Sequence, residues 1–395
     1  MSLARQTFLI LSLAVFAAGF ACAMDYGFEL SNKAGYSNSS GNDWFTDHKE
    51  TLWLAIPFTN NNDNSLSIEG SFYASKPEGS NEYRFFADLD LFRLSLLPVS
   101  SGKIKIGMDI GRISVSDIST FVLNQAVDGT EMHFSLPFGN IDLLAGYTGL
   151  QNVRTGGALM TEDDQSEAGT NDLWAQGSQR VIGKLTFQFP QLVDGIDILF
   201  EGVGQYDLRR YLENDPTSTL DTVYGTLCLN GPITNTLFYN LSGTYQGGQL
   251  EIDEKGSVNS VLASIRFDLF PAEGDQMYLQ VVYVPDRSSF FDNFRPISFQ
   301  TAGTLYTAGY TNLTIGSVGW NFNPSTAFNF DILAKTFLLS DSIAGFSGFY
   351  QGTEISGGAT IKATSDLRFR LDGDIWMPEG ENLQYKTSLK AIFAL

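Results

Sequence analysis

Apolar and polar residues alternate with a period of two over much of this chain. Ile104, Ile106, Met108 and Ile110 alternate with Lys103, Lys105, Gly107 and Asp109, and Val181, Leu185, Phe187 and Phe189 with Arg180, Lys184, Thr186 and Gln188. The same beat runs through Val261 to Leu269 and through Leu367 to Met377. Such alternation predicts strands with one apolar and one polar face. Extended along the chain it gives about 18 strands, over 25–36, 49–58, 65–74, 83–96, 103–113, 129–137, 141–151, 179–190, 196–210, 220–230, 236–246, 258–270, 276–285, 309–322, 327–340, 353–363, 367–378 and 383–395. Most are near the ~10 residues that a tilted strand needs to cross a bilayer. One hairpin missed or invented would make the count about 16 or 20.

Turn chemistry separates the two ends of these strands. Pro57, Pro98, Pro137, Pro190, Pro232, Pro271 and Pro324 recur at intervals of 41, 39, 53, 42, 39 and 53 residues. Each follows an apolar run and opens a short polar turn, where a missing N–H costs no ladder bond. A repeat of roughly 40 residues holds two strands and one longer connection. The two long intervals contain the longest predicted loops, 152–178 and 286–308. The fold expected is all-β: a transmembrane, antiparallel, up-and-down β-barrel with tight turns on one rim and long loops on the other. A propeller also repeats near this length, but its blades need four strands each.

The first residues change the picture at one point. Arg5 precedes an apolar run from Phe8 to Phe20, and Ala21-Cys22-Ala23 supplies a small-x-small cleavage site. This reads as a signal peptide over 1–23, leaving 24–395 as a single outer-membrane barrel domain. A lipoprotein acylated at Cys22 is the rival, but Gly19 stands where a lipobox prefers Leu. Cleavage would leave Cys228 without an intrachain disulfide partner. The 31 Phe, 16 Tyr and 39 Gly suit a barrel with aromatic girdles. Acidic residues outnumber basic ones by 44 to 24, which argues against nucleic acid as a partner. Much of that acidity falls in connections such as Thr161–Glu167, where it solvates exposed loops.

The closing segment carries Gly352-Thr353-Glu354 and Trp376-Met377-Pro378-Glu379-Gly380, and Gly129 follows the run NQAVD. In these motifs it resembles alginate-export-type and related porin-like barrels over about 40 residues. The resemblance implies an 18-strand channel for hydrophilic, anionic or sugar-like solutes, made in the outer membrane by the barrel-assembly machinery. The chain ends Phe393-Ala394-Leu395 rather than on an aromatic residue. This departure puts the host lineage in question and suggests a spirochaete-like diderm.

Parity then assigns the lumen. With the apolar set facing lipid, Lys33, Lys335, Lys362, Arg368, Arg370, Lys386 and Lys390 line one stretch of wall near the closing seam. Lys103, Lys105, Arg180 and Lys184 line another. Rings of Lys and Arg favour anions; cross-strand pairing with Glu354, Asp372 and Asp374 would instead only cement the wall. The connection 114–128 is half apolar and is expected to fold inward, with Asp117, Asn124, Gln125 and Asp128 at the constriction. The Phe-rich stretch 288–300 could be a gate, a lid or a collar among headgroups. His48 beside the loop at 37–47 is the one candidate for rim chemistry; no nucleophile motif, phosphate loop or metal-ligand spacing accompanies it. No catalytic role, cofactor or metal is expected. The expected function is passive diffusion of small solutes, and the alternative is a surface adhesin using its outer loops.

Overall fold

The computed structural model describes residues 24–39, 43–58, 64–168, 172–193, 195–209, 218–251, 255–287, 291–340 and 349–395. The expected signal peptide lies outside the described residues. The strands are β1 (Asp25–Ser37), β2 (Asp43–Pro57), β3 (Ser65–Lys76), β4 (Arg84–Ser101), β5 (Ile104–Ser116), β6 (Asn124–Leu136), β7 (Gly139–Tyr147), β8 (Arg180–Val193) and β9 (Ile196–Asp207). They continue as β10 (Thr219–Pro232), β11 (Leu237–Glu251), β12 (Lys255–Leu269), β13 (Asp275–Val284), β14 (Leu313–Ser325), β15 (Phe328–Leu339), β16 (Tyr350–Lys362), β17 (Leu367–Pro378) and β18 (Gln384–Ala394). Two short helices, α1 (Val153–Gly156) and α2 (Glu162–Ala168), lie between β7 and β8.

Each strand pairs antiparallel with its sequence neighbours, and β1 pairs with β18, so the 18-stranded sheet closes on itself. At the seam Phe28 N donates to Leu395 O at 3.1 Å and Leu395 N to Phe28 O at 2.9 Å. Closure leaves no free edge. The proline beat marks one rim: Pro57 and Pro232 end their strands, and Pro98 and Pro324 sit where the ladder register shifts. Gly195 and Gly274 turn the chain there with φ of 84° and 85°, a region that only glycine enters without strain. The two longest connections, 148–179 and 285–312, stand on the opposite rim.

Register confirms the parity of the strands. Along β8, Arg180, Ile182, Lys184 and Thr186 are buried, while Val181, Gly183 and Leu185 between them are exposed on the outer face. The strands also run further toward the loop rim than alternation alone suggested: β2 starts at Asp43 and β6 at Asn124. One stretch of wall is not completed by strands. β4 pairs with β5 only between Phe92/Arg112 and Ser101/Ile104, so its upper part, from Arg84, pairs with β3 alone. Loop 148–179 fills that gap. Ala87 N donates to Leu173 O at 3.1 Å, and Asn152 Nδ2 donates to Ala87 O at 2.9 Å. Arg112 crosses it too, donating to Leu89 O at 2.8 Å and pairing with Asp88 and Asp128.

Candidate pore and its interior plug

Three loops fold inward and meet inside the barrel. Loop 117–123 is tied by the buried Asp117, whose carboxylate accepts from the amides of Ser119 at 2.9 Å, Val122 at 3.0 Å and Leu123 at 2.8 Å. That turn delivers Val122 and Leu123, both fully buried, to the interior. Loop 285–312 docks on it: Ile297 N and Ser298 N donate to Val122 O at 2.9 and 3.1 Å. Asn124 N donates to Ser298 Oγ at 2.8 Å, and Ser298 Oγ donates to Gln125 Oε1 at 2.8 Å. Phe294, Ile297 and Ala302 from this loop, with Ala158 and Met160 from loop 148–179, join inward-facing apolar residues of the wall in one core. The wall share runs from Ile113 and Val115 on β5, through Ile182, Val203, Leu262 and Val282, to Phe337 on β15 and Trp376 on β17.

Charged groups anchor the plug at its edges. Glu354, buried on β16, accepts from three successive loop amides, Thr304 and Leu305 at 2.8 Å and Tyr306 at 2.9 Å. Beside it Lys335 Nζ donates to Ala302 O at 2.7 Å. Tyr306 stacks on Phe337 at 4.3 Å between ring centres and meets Trp376 at 5.2 Å. On the other side Arg180, fully buried, pairs with Asp164 and Asp207 at 2.9 Å each, and Arg209 reaches Asp164 at 2.6 Å. Burial pushes the Asp164 carboxyl up, but Arg180, the Ser178 hydroxyl and Arg209 outweigh it and hold the group below the usual carboxylate range. Lys184 bonds Ser116 O at 3.2 Å and pairs with Glu131 at 3.1 Å.

The remaining wall, from β16 through β1 to β3, contributes no side chain to that core except Trp376. Its inward face is charged. Lys390 stands in register between Arg370 on β17 and Lys33 on β1, and Lys33 is in register with Asp47 on β2. Arg370 pairs with Asp331 at 2.9 Å and Asp372 at 2.6 Å. Arg368 lies 3.7 Å from Glu29, and Lys386 lies 3.9 Å from Glu78. Lys33, Lys362 and Lys390 make no ion pair among the described residues.

The residues named from sequence therefore separate into groups. Seven of them, Lys33, Lys335, Lys362, Arg368, Arg370, Lys386 and Lys390, share the inward face of five adjacent strands. Lys105 faces inward near the turn rim, whereas Lys103 lies in the β4–β5 turn itself. Arg180 and Lys184 face inward but are held beneath the plug. Of the four residues placed in the third loop, only Asp117 lies in it; Asn124, Gln125 and Asp128 stand on β6, because that strand begins five residues earlier than expected. Gln125 faces the plug, but Asn124 and Asp128 have the opposite parity, and Asp128 pairs with Arg112. Phe294 is in the plug and Phe299 is exposed; residues 288–290 lie outside the described residues.

A closed, 18-stranded antiparallel barrel with loops folded into its mouth has the fold of the outer-membrane porins. Among solved structures, the chain is similar to two from Pseudomonas aeruginosa. The outer membrane protein OpdK aligns at 12% identity and a TM-score of 0.61, over 95% of this chain and 100% of that one. OccK2 (OpdF) aligns at 13% identity and 0.62, over 95% and 98%. OpdK has also been solved with vanillate and OccK2 with glucuronate. No family model and no curated protein matches the chain; the solved structures bear out an outer-membrane porin barrel, but neither the alginate-export type nor a spirochaete-like origin.

Proposed function

We propose that this chain is an outer-membrane channel through which small hydrophilic solutes diffuse, with anions favoured over cations. Residues 1–23 serve as its signal peptide, the proline rim faces the periplasm, and the long loops face outward. Solutes pass along the wall from β16 to β3, to which the core reaches only at Trp376. Asp117 and Gln125 set one side of the narrowest point by holding the inward loops. Vanillate and glucuronate, with which OpdK and OccK2 have been solved, are both carboxylates, which is in keeping with a cationic lane. The observation that carries this reading is the pair Lys33 and Lys390, in register on the inward face with no ion-pair partner among the described residues. Charges lining a narrow bore act on every passing ion, whereas the acidic loops are screened beyond ~8 Å at physiological salt. Arg370, tied to two carboxylates, contributes less.

Planar-bilayer recordings in a salt gradient test it. The wild type should show conductance steps and a reversal potential on the anion side. Lys33→Gln with Lys390→Gln should move that potential toward cations. Absence of steps sinks the channel; an unmoved reversal potential sinks the lane.

A further inference from the structure

On the outward face, polar side chains are rare at mid-depth, and one group of them stands out on β1 and β2. The depth scale comes from β1, whose outward residues run from Tyr26 at one rim to Tyr36 at the other. Ten residues of a strand tilted by roughly 40° rise about 25 Å, the height of the apolar band on such barrels. Asn32 lies inside that interval, in register with His48; Leu30 lies there too, in register with Glu50. All three polar residues have outward parity. His48 Nδ1 lies 2.6 Å from Asn32 Oδ1, and His48 Nε2 lies 3.1 Å from Glu50 Oε1. On the opposite wall the same depth carries Val261, Ala263 and Ile265.

A carboxylate and an imidazole facing hydrocarbon would lose water without gaining a full set of partners. With both His48 ring nitrogens donating, the internal bonds leave the Asn32 NH2 as a donor group and the second Glu50 oxygen as an acceptor, neither hydrogen-bonded among the described residues. A face that offers one donor and one acceptor side by side is complementary to itself. A two-fold axis along the membrane normal would set Asn32 of each copy toward Glu50 of the other. Small neighbours let two walls approach: Ala34 and Thr46 stand next in register above the group, and Ala74 lies beside His48 on β3.

We propose that the outward face of β1 and β2 is the contact between two copies of this chain, with Asn32, His48 and Glu50 bonded across it. The proposal rests on the barrel spanning the membrane, which heat-modifiable migration of the folded form in outer-membrane fractions checks on its own.

The test is cysteine cross-linking of the full chain in outer membranes. Thr46→Cys sits beside the group, and Ala263→Cys is the control on the far wall; the native Cys228 is buried and serves as the blank. A short bifunctional reagent should give a band of twice the chain mass from Thr46→Cys and none from Ala263→Cys. Adding His48→Leu and Glu50→Leu should abolish that band while folded migration and conductance persist. Should the double substitution fail to fold, Glu50→Ala in the same background must reduce the band. Equal cross-linking at both sites, a band unchanged by the substitutions, or a product joined to a protein of different mass would each overturn the proposal.

Discussion

Two arcs of one barrel use the same alternation for opposite ends. From β5 to β15 the inward positions near the loops are Ile113, Val127, Ile182, Val203, Leu262 and Val282, packed under three loops like the inside of a soluble domain. From β16 through β1 to β3, apart from Glu354 and Trp376 at the edge of the plug, the inward positions include Arg370, Lys390, Lys33, Asp47 and Lys49, none of which belongs to that core. Facing the lumen therefore does not mean facing water. What decides is whether a loop lies over the position, and loops 117–123, 148–179 and 285–312 all lean toward the same side.

The contrast breaks most directly at single inward positions. Ile182→Lys puts an unpaired charge into the packed arc, at a cost on the order of several kcal/mol. Ser75→Lys places the same charge on the open arc, on an inward position in register with Asp47. Urea unfolding in detergent should show the first variant strongly destabilised and the second close to wild type; equal stability would mean that both arcs are wet. A smaller effect is expected at the boundary. Glu354→Gln leaves an acceptor oxygen for at most two of the three loop amides and sets an NH2 against the rest, weakening the hold on loop 285–312 by about 1–3 kcal/mol. Single-channel traces should then show more frequent or larger openings, and unchanged traces would free this loop from any part in occluding the bore. The smallest effect follows from pH. Asp164 has its folded value depressed, so its contribution is present above the ordinary carboxylate value of ~3.9 and is lost as pH falls through the folded value. Hydrogen exchange in 158–168 should stay slow down to the ordinary carboxylate range and quicken only below it, while β10 to β12 remain protected. Loosening near neutral pH would contradict the Arg180–Asp164 anchor.

The sequence showed the wall more readily than what fills it. Period two exposed the strands, their parity and the even count, because a lipid-facing set must be apolar at every second residue. The open arc was legible for the same reason: Arg368, Arg370, Lys386 and Lys390 interrupt apolar outward positions without ambiguity. The packed arc was harder. Val181-Ile182 and Val261-Leu262-Ala263 are runs in which both faces are apolar, and period alone assigns such runs to neither face. Their length was the available signal. The inward turn at Asp117 was suggested by the half-apolar composition of 114–128, but the early start of β6 was hidden because NQAVD carries turn-forming residues at both ends. Glu354 appeared as the end of the Gly-Thr-Glu motif and as one lumenal carboxylate among several, not as the anchor of a loop. Its three amide donors come from a loop about fifty residues away, and nothing local announces them.

The gap between β4 and β5 bears on the time course of building this molecule. Pairing along that seam stops at Phe92 and Arg112, and the backbone groups above it are met by Leu173, Asn152 and Arg112 instead of by a neighbouring strand. Zipping the sheet from the turn rim therefore cannot finish the wall. A slit persists until residues of loop 148–179, made later in the chain, swing back and fill it. Sealing on this side takes the docking of a loop as well as the pairing of strands. Insertions and deletions in this loop are thus constrained by the watertightness of the barrel as well as by what passes through it.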